Sequence, residues 1–192
     1  MKFVQIGACA GGDEVFDFVK DKDVELGILV EPIPDFYDRL CDCYKNVNNI
    51  YVEQVAVVPD QVEDKTVRMH WTEKHHGVGS VFKEHVHAHG YSDDDIKIVE
   101  VPTCGINSLL KKYDIKDLDY LFIDVEGLDA ANLLSLDLNE FNIDVISYEW
   151  FHIRDQEQQL IKHFWDHGYA IGPNRKYDRS VYKIKGHRFE WN

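Results

Sequence analysis

The chain has 192 residues, 44% hydrophobic and 29% charged, which sets it among ordinary soluble globular sequences and excludes a disordered, collagen-like or low-complexity chain. A chain of this length buries roughly 70% of its unfolded surface, so residues 1–192 are expected to form one domain that needs no disulfide staples. Its 35 acidic and 21 basic residues leave a net charge of −14, a field that argues against nucleic acid and anionic membrane surfaces as partners.

Apolar runs alternate with segments of helical period. Phe3 to Ile6 reads as a strand and Glu14 to Lys22 as a short helix. Gly27 to Val30 reads as a second strand. From Asp35 the apolar residues Phe36, Leu40, Cys43, Tyr44 and Val47 mark an amphipathic helix, which Asn48-Asn49 ends. Tyr51 to Val58 reads as a third strand. Residues 59–102 differ. They hold six of the ten histidines and the acidic run Asp93 to Asp95, with strands expected at Thr66–Trp71 and Lys97–Val101 and a polar loop between them. Too little apolar content lies there for a second domain, so the segment reads as an insertion. Regular order resumes with a helix at Ile106–Tyr113, a strand at Tyr120–Ile123, a helix at Asp129–Leu136 and a strand at Ile143–Tyr148. Asp155 to His167 reads as a helix opened by a capping box of Asp155 and Gln158 and stopped by Gly168. Strands at Tyr169–Ile171 and Ser180–Ile184 close the chain. The pattern is that of an α/β sandwich with a mostly parallel sheet. The last two strands are too close in sequence for a crossover, so the final one is expected to run antiparallel.

Cys9, Cys41, Cys43 and Cys104 make neither a disulfide nor a zinc pattern, and read as reduced thiols of a cytoplasmic protein. No signal peptide opens the chain, and no apolar run of about 18 residues suggests a membrane span.

In an open parallel sheet, ligands sit beyond the carboxyl ends of the strands. The first strand runs into Gly7-Ala8-Cys9-Ala10-Gly11-Gly12, a turn whose glycines allow close approach of a ligand and offer backbone N–H groups. Cys9 stands where a dinucleotide fingerprint needs its second glycine, and no Walker lysine follows. A dinucleotide-dependent oxidoreductase is therefore disfavoured. Glu31 ends the second strand, where a carboxylate can accept both hydroxyls of a ribose. A glycine turn and a ribose carboxylate without a phosphate grip suggest S-adenosylmethionine.

Three blocks carry a family resemblance: VQIGACAGGDE (Val4 to Glu14), VEPIPDFYDRL (Val30 to Leu40) and INSLLKKYDIKDLDYLFIDVEGLD (Ile106 to Asp129). In their order and intervals they resemble the FkbM-type methyltransferases, a branch of the class I S-adenosylmethionine-dependent enzymes. The resemblance runs from about residue 3 to about residue 150. Gln5 replaces the usual acid before the first glycine, Cys9 a common Asn, Glu14 a common Thr, Phe122 a Lys and Asp129 a Glu. Family members usually carry an upstream segment that helps cover the cofactor. Here the chain begins directly at the first strand, so a more open pocket is expected.

The resemblance implies a Rossmann-like three-layer sandwich around a seven-stranded, mostly parallel sheet with an antiparallel last strand. It implies O-methyl transfer from S-adenosylmethionine to a hydroxyl of a small molecule or carbohydrate. Gly7, Ala8 and Gly11 are expected around the amino-acid part of the cofactor, Glu31 and Pro32 at its ribose, and Ala56 and Val57 at its adenine. Asp124 and Glu126, at the carboxyl end of the fourth strand, and His152, after the fifth, are the candidates to orient the acceptor and take its proton. The bland reading of the first two is that Asp124 caps the next helix and Glu126 binds backbone amides. Trp150 and Phe151 offer faces for stacking. His85, His87 and His89 alternate, so a strand would put all three on one side, where with Asp124, Glu126 and Glu149 they could hold a divalent ion; the bland reading is an unstructured acceptor-side loop or surface strand, no metal ligand is assigned, and metal use stays open. Ser80 resembles a family serine expected on the cofactor or acceptor side. The alternative function is a non-catalytic member of the same fold that binds a nucleoside or a protein partner. The sequence also leaves homo-oligomer formation open.

Overall fold

The computed structural model describes residues 1–153, 156–175 and 177–184. Its main sheet has seven strands: β1 (Lys2–Ile6), β2 (Leu26–Val30), β3 (Ile50–Glu53), β8 (Asp117–Ile123), β9 (Asn142–Glu149), β10 (Tyr169–Asn174) and β11 (Asp178–Lys183). They lie in the order β10-β11-β9-β8-β1-β2-β3. β3, β2, β1, β8 and β9 are mutually parallel, while β11 is antiparallel to both β9 and β10, as the short connection requires.

The period-two alternation of the strands builds two cores. Phe3 and Leu29 face one side, where they join Val19, Leu40 and Tyr44 from α1 (Glu14–Val19) and α2 (Pro34–Tyr44). Val4, Ile6, Ile28 and Val30 face the other, against α4 (Ile106–Lys112), α5 (Asp129–Ser135) and α6 (Glu157–Asp166), whose Leu109, Leu133, Leu160 and Phe164 are buried. These strands are covered on both faces, which explains their near-continuous apolar sequence.

The segment read as one strand from Tyr51 to Val58 is two. β3 ends at Glu53, and β4 (Ala56–Val58) leaves the main sheet to pair in parallel with β7 (Lys97–Gly105). β7 also pairs with β5 (Thr66–Thr72), which forms a hairpin with β6 (His75–Ser80), so residues 56–105 hold a second sheet in the order β4-β7-β5-β6. The stretch expected as a polar loop thus contains β6, the short helix α3 (Lys83–Ala88) and a 3-10 turn at Asp93–Asp95. A third apolar cluster of Ile33, Phe36, Ala56, Met69, Trp71 and Val101 welds this sheet to the start of α2. His85, His87 and His89 lie on and just after α3, not on a strand, so they do not share one side. The capping residue assigned to Asp155 lies outside the described residues; the last helix begins at Glu157, after Gln156.

Candidate functional site

The carboxyl ends of β1, β2 and β8 meet at the turn after Ile6. Asp124 donates its N–H to the Ile6 carbonyl at 3.0 Å, and Gly7 and Ala8 both donate to Val30 O at 2.9 Å. Gly7 has φ +80, and a Cβ there would lie 1.7 Å from the Asp124 carbonyl oxygen. What approaches the Gly7 backbone is therefore the neighbouring strand end. Gly11 (φ +70) likewise abuts Cys43 and Leu40 of α2, and its N–H is spent on Ala8 O at 3.1 Å. The amides of Gly7, Ala8 and Gly11 thus serve the turn itself, contrary to the expectation that they stand ready for a ligand. Asp13 closes the turn: one carboxylate oxygen caps α1 by accepting from Phe16 N–H at 2.8 Å, and the other accepts from the Gln5 amide at 2.6 Å.

Glu31 points into this junction and is only 4% exposed. Its Oε2 accepts from Cys9 N–H at 2.9 Å and its Oε1 from Ile33 N–H at 2.8 Å. Each oxygen keeps a second lone pair. Burial, opposed by these two amides, pushes the carboxyl up to about 7. Cys9, held at φ +50, donates its thiol to the His76 carbonyl at 2.8 Å. Burial and then the Glu31 charge push that thiol up to about 12, so it stays a donor.

A cleft of about 110 Å³ opens above this junction, with Gly7, Glu31, Pro32, Ala56, Val57, Asp124 and Glu126 in its lining. Ile33, Phe36 and Met69 supply an apolar wall, and His76, Gly77 and Gly79 of β6 line the cleft as well. His76 is fixed there by Arg39 Nη1 at 2.9 Å from its Nε2, and by Phe36, with ring centroids 5.4 Å apart. β6 of the β5–β6 hairpin thus supplies one side of the cleft. A larger hollow of about 520 Å³ lies at the opposite end of the strands, beside Lys2, Asp117 and Asp144. It adjoins Ile184, after which the chain lies outside the described residues, and it sits at the sheet edge where α/β folds do not place ligands.

Asp124 and Glu126 line one side of the cleft, with Asp129, Glu149 and His152 behind them. Asp124 keeps an open face toward the cleft, yet protein atoms around the carboxyl and the charges of Glu126, Asp129 and Asp178 hold it well above the usual carboxylate range. Asp129, fully buried, accepts from Val125 N–H at 3.1 Å and Gly127 N–H at 3.3 Å. Burial pushes it up to about 7. Asp129 thus takes two amides of this turn, Asp124 accepts from the Glu126 backbone N–H, and neither caps α5, whose first turn has no side-chain cap; Asp124 and Glu126 both line the cleft. Ser80, fully buried, donates to the Glu126 carbonyl at 2.8 Å and accepts from Phe82 N–H at 3.1 Å, which pins the turn at Glu126 (φ +52) to β6. Glu149 Oε1 lies 3.4 Å from His152 Nε2. Burial first, and then Asp124 and Glu126, push the Glu149 carboxyl up to about 9.

Gly7, Glu31, Pro32, Ala56, Val57, Asp124 and Glu126 are thus brought together. Ala8 is instead buried with Phe3 and Leu29, Gly11 packs on α2, and His152 sits beyond Glu126 against the His85 ring, 4.7 Å away. Cys9, Phe36, Met69 and His76 were missed as cleft residues. Phe36 and Met69 carry only an ordinary core signal, and His76 reaches the cleft through tertiary pairing of β6.

The donor set suits a nucleoside. One buried carboxylate with spare lone pairs ends β2, an apolar slot runs from Phe36 to Val57, and among the described residues no Lys or Arg lines the cleft to grip a phosphate. The strand order with its antiparallel β11 and the cleft at β1, β2 and β8 define a class I methyltransferase fold. Solved structures agree on that fold. A methyltransferase FkbM from Methylobacillus flagellatus KT is 16% identical, with TM-score 0.54 over 94% of this chain and 42% of its own. The fibrillarin pre-rRNA processing protein of Methanococcus jannaschii is 13% identical, with TM-score 0.51 over 97% of this chain and 67% of its own. The chain thus spans about two-fifths of the length of the first of these. A comparison with curated proteins gave no significant match. The model of the methyltransferase FkbM domain matches residues 5–171, and the chain belongs to that family. S-adenosylmethionine is accordingly its cofactor.

Proposed function

We propose that this chain is an O-methyltransferase that acts on a hydroxyl of a small neutral acceptor, most simply a carbohydrate. The observation that carries the reading is that Asp124 and Glu126 line the same cleft as Gly7 and Glu31. Bound S-adenosylmethionine supplies a sulfonium methyl that is already strongly electrophilic. The protein has then to hold the donor, align the acceptor and remove one proton. Glu31 is assigned the ribose hydroxyls through its remaining lone pairs, with Pro32 beside it, and Ala56 and Val57 are assigned the adenine. Gly7, Ala8 and Gly11 act by shaping the turn at the amino-acid end. Asp124 orients the acceptor, and Glu126 and His152 take its proton. Four acids crowd this edge (Asp124, Glu126, Asp129 and Glu149), which favours a neutral acceptor over an anionic one. Phe151, 38% exposed beside His152, offers a face for a sugar ring.

The cleft is smaller than the roughly 300 Å³ at which ligand pockets begin. Entry of the cofactor therefore requires His75–Gly79 to lift, with loss of the Cys9–His76 and Arg39–His76 contacts. Residues 59–102 act in this reading as an insertion that closes the site of a single-domain enzyme. The four cysteines are free thiols, consistent with work in the cytoplasm. Among the described residues no helix is long and apolar enough to cross a membrane.

The test is transfer of labelled methyl from S-adenosylmethionine to a panel of neutral and anionic sugars. Label is expected on a neutral acceptor. Glu126→Gln should lower turnover by about 10²–10⁴-fold, the contribution of a positioned proton acceptor, while S-adenosylhomocysteine affinity changes less than about threefold. A wild-type rate in that variant would remove Glu126 from the chemistry. The narrow cleft also favours, as a second reading, a non-catalytic nucleoside-binding member; binding without label transfer to any acceptor would support it.

A further inference from the structure

We infer that His85, His89 and His152, with the carboxylates of Glu126 and Glu149 beside them, form a binding site for one first-row transition-metal dication, best matched by zinc. His85 and His89 are four residues apart on α3 and its cap, so their rings lie on one face, 4.7 Å apart. His152 arrives from the end of β9, its ring 4.7 Å from that of His85. The ligand atoms of these three histidines lie within 4.8 Å of one another, as do those of Glu126, Glu149 and His152. His152 belongs to both groups, and His85 Nε2 lies 2.6 Å from Glu126 Oε2, so the two groups adjoin. At metal–nitrogen distances of about 2.0–2.1 Å, tetrahedral ligands sit roughly 3.4 Å apart, which side-chain rotations of about an ångström would reach.

Three details give the cluster the character of a site. The His89 Nδ1 lies 3.0 Å from the His85 carbonyl. A carbonyl can only accept, so Nδ1 carries the proton and Nε2 presents its lone pair, the orientation that ligating histidines are usually given by an outer partner. The His85 side chain is only 9% exposed, and its Nε2, buried, has no hydrogen-bond partner among the described residues. It does approach Glu126 Oε2 to 2.6 Å, but off the line of a ring N–H bond, so two ligand-type atoms share one small space. Glu149 Oε2 is likewise buried without a hydrogen-bond partner among the described residues. Mixed imidazole and carboxylate ligands select zinc or its first-row neighbours over magnesium or calcium, which prefer all-oxygen shells. His87, on the same helix, turns the other way and uses both nitrogens, Nδ1 at 2.8 Å from Tyr91 O and Nε2 at 3.0 Å from Asp93. His163 and His167 form another close pair on α6, with ring centroids 4.6 Å apart, but no third ligand group joins them among the described residues. The site does not depend on the methyl-transfer reading, but with a metal bound Glu126 and His152 are ligands and do not serve as that reading's proton acceptors.

The test is calorimetric titration of the full chain with Zn²⁺ under reducing conditions, with thermal melts to verify folding. One Zn²⁺ per chain is expected to bind. His89→Ala, at an exposed position, and His85→Ala should each weaken it at least tenfold, while His87→Ala and His163→Ala leave it within about twofold. Absence of binding by the wild type overturns the proposal. So does binding that survives His89→Ala in a folded protein, or that is lost with His163→Ala.

Discussion

At the scale of single residues, the junction above β1 and β2 depends on two backbone demands. Gly7 combines φ +80 with a neighbouring carbonyl 1.7 Å from where a Cβ would sit. Gly7→Ala should therefore cost on the order of 3 kcal/mol of stability, from backbone strain together with steric overlap. Chemical denaturation would measure this, and a loss under about 1 kcal/mol would contradict the close approach described here. Glu31 holds Cys9 N–H and Ile33 N–H with one oxygen each. In Glu31→Gln one of these amides must face an NH₂ group, so the loop loses about 1–3 kcal/mol, the cost of a buried donor left unpaired. Binding of S-adenosylhomocysteine should weaken by roughly 1.5–3 kcal/mol in the same variant, in line with hydrogen bonds to a charged group. A variant that loses stability but keeps full affinity would leave Glu31 a loop-holding residue only.

At the scale of elements, the parts legible in the sequence are those whose burial comes from the main sheet. β1, β2 and β8 announce themselves as apolar runs, because side chains pack on both of their faces. The second sheet was half hidden. The break between β3 and β4 falls at Gln54-Val55, inside a run with no Gly or Pro to mark it, and pairing with β7 decides it. β6 buries only Val78 and Ser80, and α3 only Val86, so neither carries a readable period. The strand-end positions of Gly7, Glu31, Asp124 and Glu126 could be read from the sequence, while the place of His76 and the approach of His85 to Glu126 could not. These depend on how the hairpin folds over the cleft. The hairpin yields its own prediction. Amides of residues 75–80 should exchange with deuterium more slowly when S-adenosylhomocysteine is bound, once the strand has reclosed over the ligand. Unchanged exchange in saturated protein would show that β6 is not the cover.

At the scale of the whole molecule, the carboxyl ends of the strands, in and behind the cleft, gather carboxyls that prefer to keep a proton. Glu31 and Asp129 sit at about 7, Glu149 at about 9, and Asp124 is also raised. In the unfolded chain these groups titrate near 4. The native state thus binds more protons between those limits, and stability falls as pH rises. The contribution is complete below about pH 4 and is lost through pH 7 for Glu31 and Asp129, and toward pH 9 for Glu149. Surface acids paired with lysine, such as Glu140 and Asp95, are lowered instead and act only at more acid pH. The Tm should accordingly be highest in mildly acidic buffer and decline from pH 5 to pH 9; a flat or rising profile would contradict these environments. The central claim is that the junction of Gly7 and Glu31 holds the sulfonium nucleoside. Calorimetric titration of the full chain with S-adenosylhomocysteine tests it most directly. The account predicts one site per chain, weakened at least tenfold by Glu31→Gln; a folded chain that takes up no ligand at millimolar concentration would contradict it.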